Sequence, residues 1–117
     1  MAFQLQLDVK DQILIVTFCG ELDHHAAAEA RQPMEAFLSE GRFRHVILVL
    51  NRLDFIDSSG IGVILGRYKW LAARGGKLVI CGMNAHVRKI LDVSGIFKLI
   101  PAVNSVPDAM SLLEVFV

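Results

Sequence analysis

The chain has 117 residues, of which 54% are hydrophobic and 21% are charged, so it has the length of one domain and enough apolar material for a core. This hydrophobic content excludes disorder, and because twelve basic residues balance twelve acidic ones, no basic field exists to attract nucleic acid or anionic lipid. The first residues lack the pattern of a signal peptide, and no apolar run could cross a bilayer, so we expect a cytoplasmic protein that binds neither nucleic acid nor membrane.

The N-terminal segment predicts an antiparallel hairpin. Apolar and polar residues alternate from Phe3 to Val9, which is the period of a half-buried strand. A polar turn at residues 10–12 separates this segment from a β-branched run at residues 13–18, which is typical of a more buried strand. We expect this second strand to end at Gly20.

Residues 23–39 have the spacing of a helix. Asp23 is suited to cap its N-terminus and Gly41 to end it. Pro33 lies in the interior, where proline costs roughly 3 kcal/mol, so we expect a kink there or a helix that begins late. The apolar positions that share one face are Ala27, Ala30, Met34, Phe37 and Leu38.

Strands and helices then alternate. A buried strand is predicted over residues 45–50, with residues 51–57 as its exit. A helix over residues 58–74 follows, which Gly75 and Gly76 close, and the next buried strand covers residues 78–81.

The C-terminal part continues this alternation. Asn84 is suited to cap a helix that runs through Val93 and that Gly95 closes. We expect a short edge strand over residues 97–100 and a last helix that a capping box at residues 105–108 opens. The apolar face of that helix contains Ala109, Leu112, Leu113 and Phe116.

This order of elements predicts the fold class. Alternating strands and helices require parallel strands with right-handed crossovers, whereas the first two strands can pair as an antiparallel hairpin. We therefore predict an α/β fold with one mixed sheet of four to five strands and about four helices, in a single domain over residues 1–117. Cys19 and Cys81 each end an apolar run, and we expect two buried, reduced thiols.

The segment at residues 54–62 combines features that suit a regulatory site. It lies between a buried strand and a helix, where the sites of α/β sheets gather. One helix cap accounts for one polar residue, but not for Ser58 and Ser59 followed by Gly60 and Gly62, since each helical glycine costs about 1 kcal/mol. Free N–H groups and the helix dipole tolerate an anion, so Ser58 is well placed to carry a phosphate, and the glycines are expected to leave the backbone open to another protein.

Two motifs resemble those of a known family. Residues 20–25 (GELDHH) and 57–69 (DSSGIGVILGRYK) resemble the STAS domain of anti-sigma factor antagonists, and most of all the sporulation type, which acts on the anti-sigma-F factor. The resemblance covers essentially the whole chain and implies a STAS-like fold. It also implies that the unphosphorylated protein binds an anti-sigma factor that is also a serine kinase, and so releases the sigma factor. Phosphorylation by that kinase ends the association, and a serine phosphatase restores it.

The resemblance also implies roles for individual residues. The phosphorylated serine of the family is the first of the pair and matches Ser58, while the aspartates of the two loops match Asp57 and Asp23. We also expect a protein that is not an enzyme, needs no cofactor and is a monomer when free. The residues that we expect to contact the partner are Asp23, His24, Asp57, Ser58, Ser59, Gly60, Gly62, Val63, Gly66, Arg67 and Trp70.

Helical spacing divides the second helix into two faces. The face expected to pack on the sheet contains Ile61, Ile64, Leu65, Tyr68 and Ala72. The opposite face contains Val63, Gly66, Arg67 and Trp70. An apolar stripe on the solvent side predicts a docking surface, unless Trp70 packs under a neighbouring loop.

Other functions fit the residues less well. His24 and His25 are adjacent, so they point in different directions, and no cysteine joins them at zinc-site spacing; we expect no metal. Ser58 lacks the Gly-x-Ser-x-Gly elbow of hydrolases, so we do not expect a nucleophilic serine. The chain also lacks the acidic pair that holds magnesium in a receiver domain, and it has no Walker loop. The alternative that remains is a regulatory module that binds a nucleotide or another small anion at the same helix N-terminus.

Overall fold

The computed structural model describes residues 2–40 and 43–114, apart from the side chain of Leu38. The helix-ending role predicted for Gly41 and the apolar positions predicted for Leu38 and Phe116 lie outside the described residues. None of the helices in the described ranges has the length and apolar character needed to cross a bilayer.

Within these ranges, five strands form one sheet in the order of the chain. The strands are β1 (Gln4–Lys10), β2 (Ile13–Leu22), β3 (His45–Ile56), β4 (Leu78–Cys81) and β5 (Ala102–Val103). β1 and β2 pair antiparallel, and every later strand is parallel to the one before it. The predicted mixed sheet with an N-terminal hairpin is therefore confirmed.

Four helices connect and cover the strands of the described residues. They are α1 (His24–Leu38), α2 (Ser58–Ala72), α3 (Ala85–Ser94) and α4 (Val106–Glu114). The main core lies between the sheet and the first three helices, with Phe18 and Leu48 fully buried in it. α4 covers the other face, where Ala109 and Leu113 pack with Ile47.

Two strands are longer than predicted. β2 continues past Gly20 to Leu22, and β3 continues through the segment predicted as its exit to Ile56. The two extensions pair with each other, with Leu22 opposite Ile56 after two register shifts. The ends of both strands are thereby held side by side, which brings the two loop motifs of the sequence together.

α1 begins where its cap predicts. The Asp23 carboxylate accepts a hydrogen bond from the Ala26 N–H at 2.9 Å, and the helix runs from His24 with Pro33 inside it. The alternative of a late start is therefore wrong, because a capped first turn forms well before the proline. A kink at Pro33 stays a prediction.

The edge strand predicted over residues 97–100 is wrong. Residues Ile96–Lys98 form a 3₁₀ turn, and the N–H of Leu99 donates to the carbonyl of Ile96 at 3.0 Å. Ile96 and Ile100 are both buried, whereas Lys98 and Leu99 are both exposed, and two consecutive exposed residues break the alternation of a half-buried strand. The fifth strand forms two residues later, where Ala102 pairs with Ile80.

The two cysteines are buried free thiols, as predicted. Cys19 is 5% exposed and Cys81 is 1% exposed. Burial raises the pKa of the Cys81 thiol, because the charged thiolate is poorly solvated there.

Candidate functional site

Two helix N-termini lie side by side at one edge of the sheet. Leu22 ends β2 and Ile56 ends β3, and an aspartate cap follows each strand. The N–H of Asp57 donates to the carbonyl of Leu22 at 3.4 Å, so the two chain segments also contact each other beyond the strands. This edge holds the carboxyl ends of parallel strands, which is the usual place for sites in α/β sheets.

Asp57 is the cap of α2, and Ser58 is its first helical residue. One oxygen of the Asp57 carboxylate accepts hydrogen bonds from the N–H groups of Ser59 at 2.9 Å and Gly60 at 3.2 Å. The Ser58 side chain is exposed and forms no hydrogen bond within the described part of the chain. Its hydroxyl is therefore accessible to another protein, and the neighbouring Asp57 already accepts the hydrogen bonds of the N–H groups at the helix start.

Ser59 differs from Ser58 in its surroundings. It is half-buried, and its Oγ lies 3.3 Å from Nδ1 of His24, the first residue of α1. The two groups share a hydrogen bond whose donor depends on the tautomer of the imidazole. The structure thus brings the predicted His24 to the serine pair and links the starts of α1 and α2.

The two glycines of the α2 start have different roles. A Cβ at Gly60 would lie 2.6 Å from the Leu22 carbonyl oxygen and 2.7 Å from Cγ1 of Ile56, and Gly60 is buried. The prediction that Gly60 leaves the backbone open is therefore wrong, since glycine is needed there for close packing on the strand ends. Gly62 is exposed, and apart from its chain neighbours and the backbone of its own helix, no described atom lies within 4 Å of the corresponding Cβ position.

The buried face of α2 is rotated from the predicted one. Val63 is 1% exposed and belongs to the main core, so its place on the predicted docking surface is wrong. Leu71 is equally buried, whereas Ala72, which was expected to pack on the sheet, is exposed. The reason is that α2 packs against α1 as well as against the sheet, and the residues between those two contacts are buried most deeply.

Arg67 and Trp70 are also less free than predicted. The Arg67 side chain is 13% exposed, and its Nη2 lies 3.3 Å from Oε1 of Glu35 on α1. Trp70 is half-buried against the core, with the Arg74 guanidinium 3.8 Å from its ring centroid. Arg67 therefore joins α1 to α2, and only part of Trp70 is available to a partner.

What remains open on α2 is a line of small residues, which we call the small-residue line. It consists of Ser58, Gly62 and Gly66, which are spaced four residues apart on one side of the helix. Gly66 is half-buried, but no atom of the described residues fills the space over its Cβ position. The accessible surface thus runs along α2 from the serine and shares only Gly66 with the predicted face.

A shallow hollow lies between the small-residue line and α1. Its lining includes His24, Ala28 and Arg31 from α1 as well as Ser58 and Gly62 from α2. Ala28 and Arg31 did not feature among the residues predicted to form the site. Helical spacing from His24 would have identified them, because residues four and seven positions further on share its face.

Carboxylates flank the hollow on the side of the first loop. Glu21, Asp23 and Glu29 line a second depression together with His25. Among the described residues, no group of three or more His, Cys, Asp or Glu side chains could hold a metal ion.

Comparisons with known proteins agree on one family. The family model of the STAS domain matches residues 4–109. A relative from Paenibacillus polymyxa named anti-sigma F factor antagonist is 40% identical over 115 residues, which cover 98% of this chain and 98% of the relative.

Solved structures give the same result. The anti-sigma factor antagonist SpoIIAA in its unphosphorylated form is 29% identical with a TM-score of 0.74, over 97% of this chain and 98% of that one. The Bacillus cell fate determinant SpoIIAA in its phosphorylated form is 30% identical with a TM-score of 0.72, over 96% and 99% of the two chains. The resemblance stated from the two loop motifs is therefore confirmed.

Proposed function

The chain belongs to the STAS domain family, and on that premise we propose that it is an anti-sigma factor antagonist switched by phosphorylation of Ser58. The unphosphorylated protein binds an anti-sigma factor that is also a serine kinase, and the sigma factor is released. The kinase then phosphorylates Ser58 and binding ends, until a serine phosphatase removes the phosphate. The role is regulatory rather than catalytic, and it belongs to the cytoplasm of a sporulating bacterium.

The observation that carries this proposal is the exposed hydroxyl of Ser58 at the start of a capped helix, which has no hydrogen-bond partner among the described residues. A kinase has to reach the hydroxyl without unfolding the helix, and the Asp57 cap leaves the serine free for that reaction. The phosphorylated form of the solved relative SpoIIAA supports the same chemistry, since its chain aligns with nearly all of this one.

Phosphorylation would act through local charge and volume. The N–H groups of Ser59 and Gly60 already donate to Asp57, so the phosphate does not have to rebuild the helix start. It would add a charge of about −1.5 to −2 directly beside that carboxylate. A partner group that approaches Ser58 closely would then meet an anion and a bulky substituent instead of a small hydroxyl.

The small-residue line supplies the surface for the partner. Gly66 lies roughly 12 Å from Ser58 along the helix, at a rise of about 1.5 Å per residue, which is within one ordinary interface. The open space over Gly62 and Gly66 allows a partner to approach the backbone of α2. Asp23 and His24 border the start of this surface, and the exposed part of Trp70 borders its far end.

The nucleotide-binding alternative has less support. An anion at the start of α2 would need the N–H groups of Ser59 and Gly60, and the Asp57 carboxylate already accepts from both. A nucleotide would therefore have to displace a negatively charged cap. Stabilisation of the protein by ATP or GTP alone, without a partner, would favour this alternative.

The experiment combines site mapping with binding. We expect incubation with the serine-kinase anti-sigma factor and ATP to place one phosphate on Ser58. Ser58→Asp should weaken the complex while leaving the circular dichroism spectrum unchanged, whereas Ser58→Ala should bind but resist switching. Ser111→Asp is a matched control, because Ser111 is an exposed serine on α4. Tight binding by Ser58→Asp, or equal weakening by Ser111→Asp, would contradict the proposal.

A further inference from the structure

The chain presents two adjacent serines that differ in their contacts with the other described residues. Ser58 is exposed, whereas Ser59 is half-buried and shares a hydrogen bond with His24 at 3.3 Å. Successive residues of a helix point about 100° apart, so one serine can face solvent while the next faces α1. The two side chains are chemically identical, so the difference in their exposure and hydrogen bonding comes from the residues of α1 that lie beside them.

The position of His24 follows from the strand pairing. Leu22 lies opposite Ile56, so the residue that starts α1 and the residues that start α2 leave neighbouring strands at the same level. The Asp23 cap then holds the first turn of α1, from which His24 reaches Ser59. His24 itself is exposed, so its hydrogen bond, rather than a role in the core, is its main contribution here.

We infer that His24 is a positioning residue that directs phosphorylation to Ser58 by restraining the hydroxyl of Ser59. The inference rests on the proposed function. In the transfer, Oγ of the serine bonds to the γ-phosphorus of ATP, and the bond from that phosphorus to the bridging oxygen breaks. ADP leaves with the electron pair, and the hydroxyl proton passes to a base of the kinase. Ser59 can undergo this reaction only after its hydroxyl leaves His24 and turns out of the hollow.

The test measures phosphate on Ser59 in a background where Ser58 cannot react. Ser58→Ala should be almost unmodified by the kinase and ATP. We expect the double variant Ser58→Ala/His24→Ala to acquire phosphate on Ser59 roughly three- to tenfold faster, which is the factor that one exposed hydrogen bond supplies. Peptide fragmentation identifies the modified serine.

Two further variants separate positioning from a general effect on the fold. In the same Ser58→Ala background, His24→Asn places a hydrogen-bonding group near the position of Nδ1. It should slow phosphorylation of Ser59 back to the rate of Ser58→Ala alone. His25→Ala is the matched control, because the His25 ring lies 5.9 Å from that of His24 but forms no hydrogen bond with Ser59 among the described contacts. A merely structural role of His24 would not be rescued by asparagine.

The outcomes distinguish a failure of this inference from a failure of the proposed function. If the wild-type chain acquires phosphate on Ser58 but the double variant leaves Ser59 unmodified, the inference is wrong and the proposed function stands. Equal acceleration by His25→Ala would also overturn it. If the wild-type chain acquires no phosphate on Ser58, the proposed function fails, and the inference fails with it.

Discussion

Leu22 and Ile56 are opposite each other at the ends of two parallel strands, and the residue after each of them caps a helix. This one pairing places Asp23 and Asp57, which are far apart in the chain, at the same edge of the sheet. The hollow beside Ser58 exists because the two helices start at the same level. The candidate site thus depends on strand register as much as on the serine motif.

Replacing the cap of α2 should loosen the helix start. Asp57→Ala removes the acceptor of two backbone N–H groups, and we expect a loss of about 1 kcal/mol in the free energy of unfolding. Urea denaturation followed by circular dichroism measures this loss. Asp54→Ala is the control, because Asp54 is an exposed aspartate three residues earlier and should change the stability little. Equal losses in the two variants would contradict the role assigned to the cap.

The two glycines of the first turns of α2 should respond in opposite directions to the same substitution. Gly60→Ala puts a methyl group 2.6 Å from the Leu22 carbonyl oxygen, and such overpacking typically costs about 1–3 kcal/mol. Gly62→Ala meets open space and gains helix propensity, so it should stabilise the protein by about 0.5–1 kcal/mol. Thermal unfolding of both variants tests this. Destabilisation by Gly62→Ala would show that the space over that residue is not open.

Partner binding should depend on the open side of α2 more than on its buried side. Gly66→Lys fills the small-residue line, and we expect it to weaken binding well over tenfold with little loss of stability. Trp70→Ala should have a milder effect, because the indole is half-buried and lies further from Ser58. Isothermal titration with the anti-sigma factor measures both. A Gly66→Lys variant that folds and binds normally would exclude this surface.

Val63→Ala serves as the matched comparison on the other side of the same helix. Val63 is 1% exposed, so its truncation should lower the free energy of unfolding by roughly 1–3 kcal/mol. Below its unfolding temperature, the folded variant should bind the partner nearly as well as the wild-type chain does. A large loss of affinity without a loss of stability would contradict the buried position.

Stability should fall on mild acidification because of His45. This histidine is 2% exposed, and its Nδ1 accepts a hydrogen bond from the Lys77 N–H at 3.0 Å. Burial, followed by the charges of Arg44 and Lys77, lowers the pKa of His45 from its ordinary value of 6.5. Asp11 and Glu114 line the depression beside it.

The sign follows from proton linkage. Below pH 6.5 the unfolded chain protonates this histidine, while the folded chain, with its lowered pKa, does not yet do so. The contribution of His45 to the free energy of unfolding is therefore fully present above about pH 6.5. It declines as the pH falls towards the lower pKa of the folded state. Urea denaturation at about pH 7.5 and 5.5, just above the range of ordinary carboxylates, measures the decline. In His45→Gln, the free energy of unfolding should differ less between the two pH values than in the wild-type chain. An equal difference in both proteins would mean that other groups cause the decline.

Local features of this protein could be read from its sequence. The caps Asp23 and Asn84 both accept backbone hydrogen bonds at the helix starts that were predicted for them. The hairpin and the buried strands were likewise predicted correctly, because capping and periodicity depend only on residues within a few positions of each other.

The tertiary structure decided which sides of those elements are covered. Val63 was placed on the open face of α2 because spacing within one helix cannot show that a second helix packs against it. Gly60 looked accessible for the same reason, although the Leu22 carbonyl lies against it. The hydrogen bond between His24 and Ser59 joins residues 35 positions apart. Such contacts depend on strand register and helix packing, which arise only when distant parts of the chain meet.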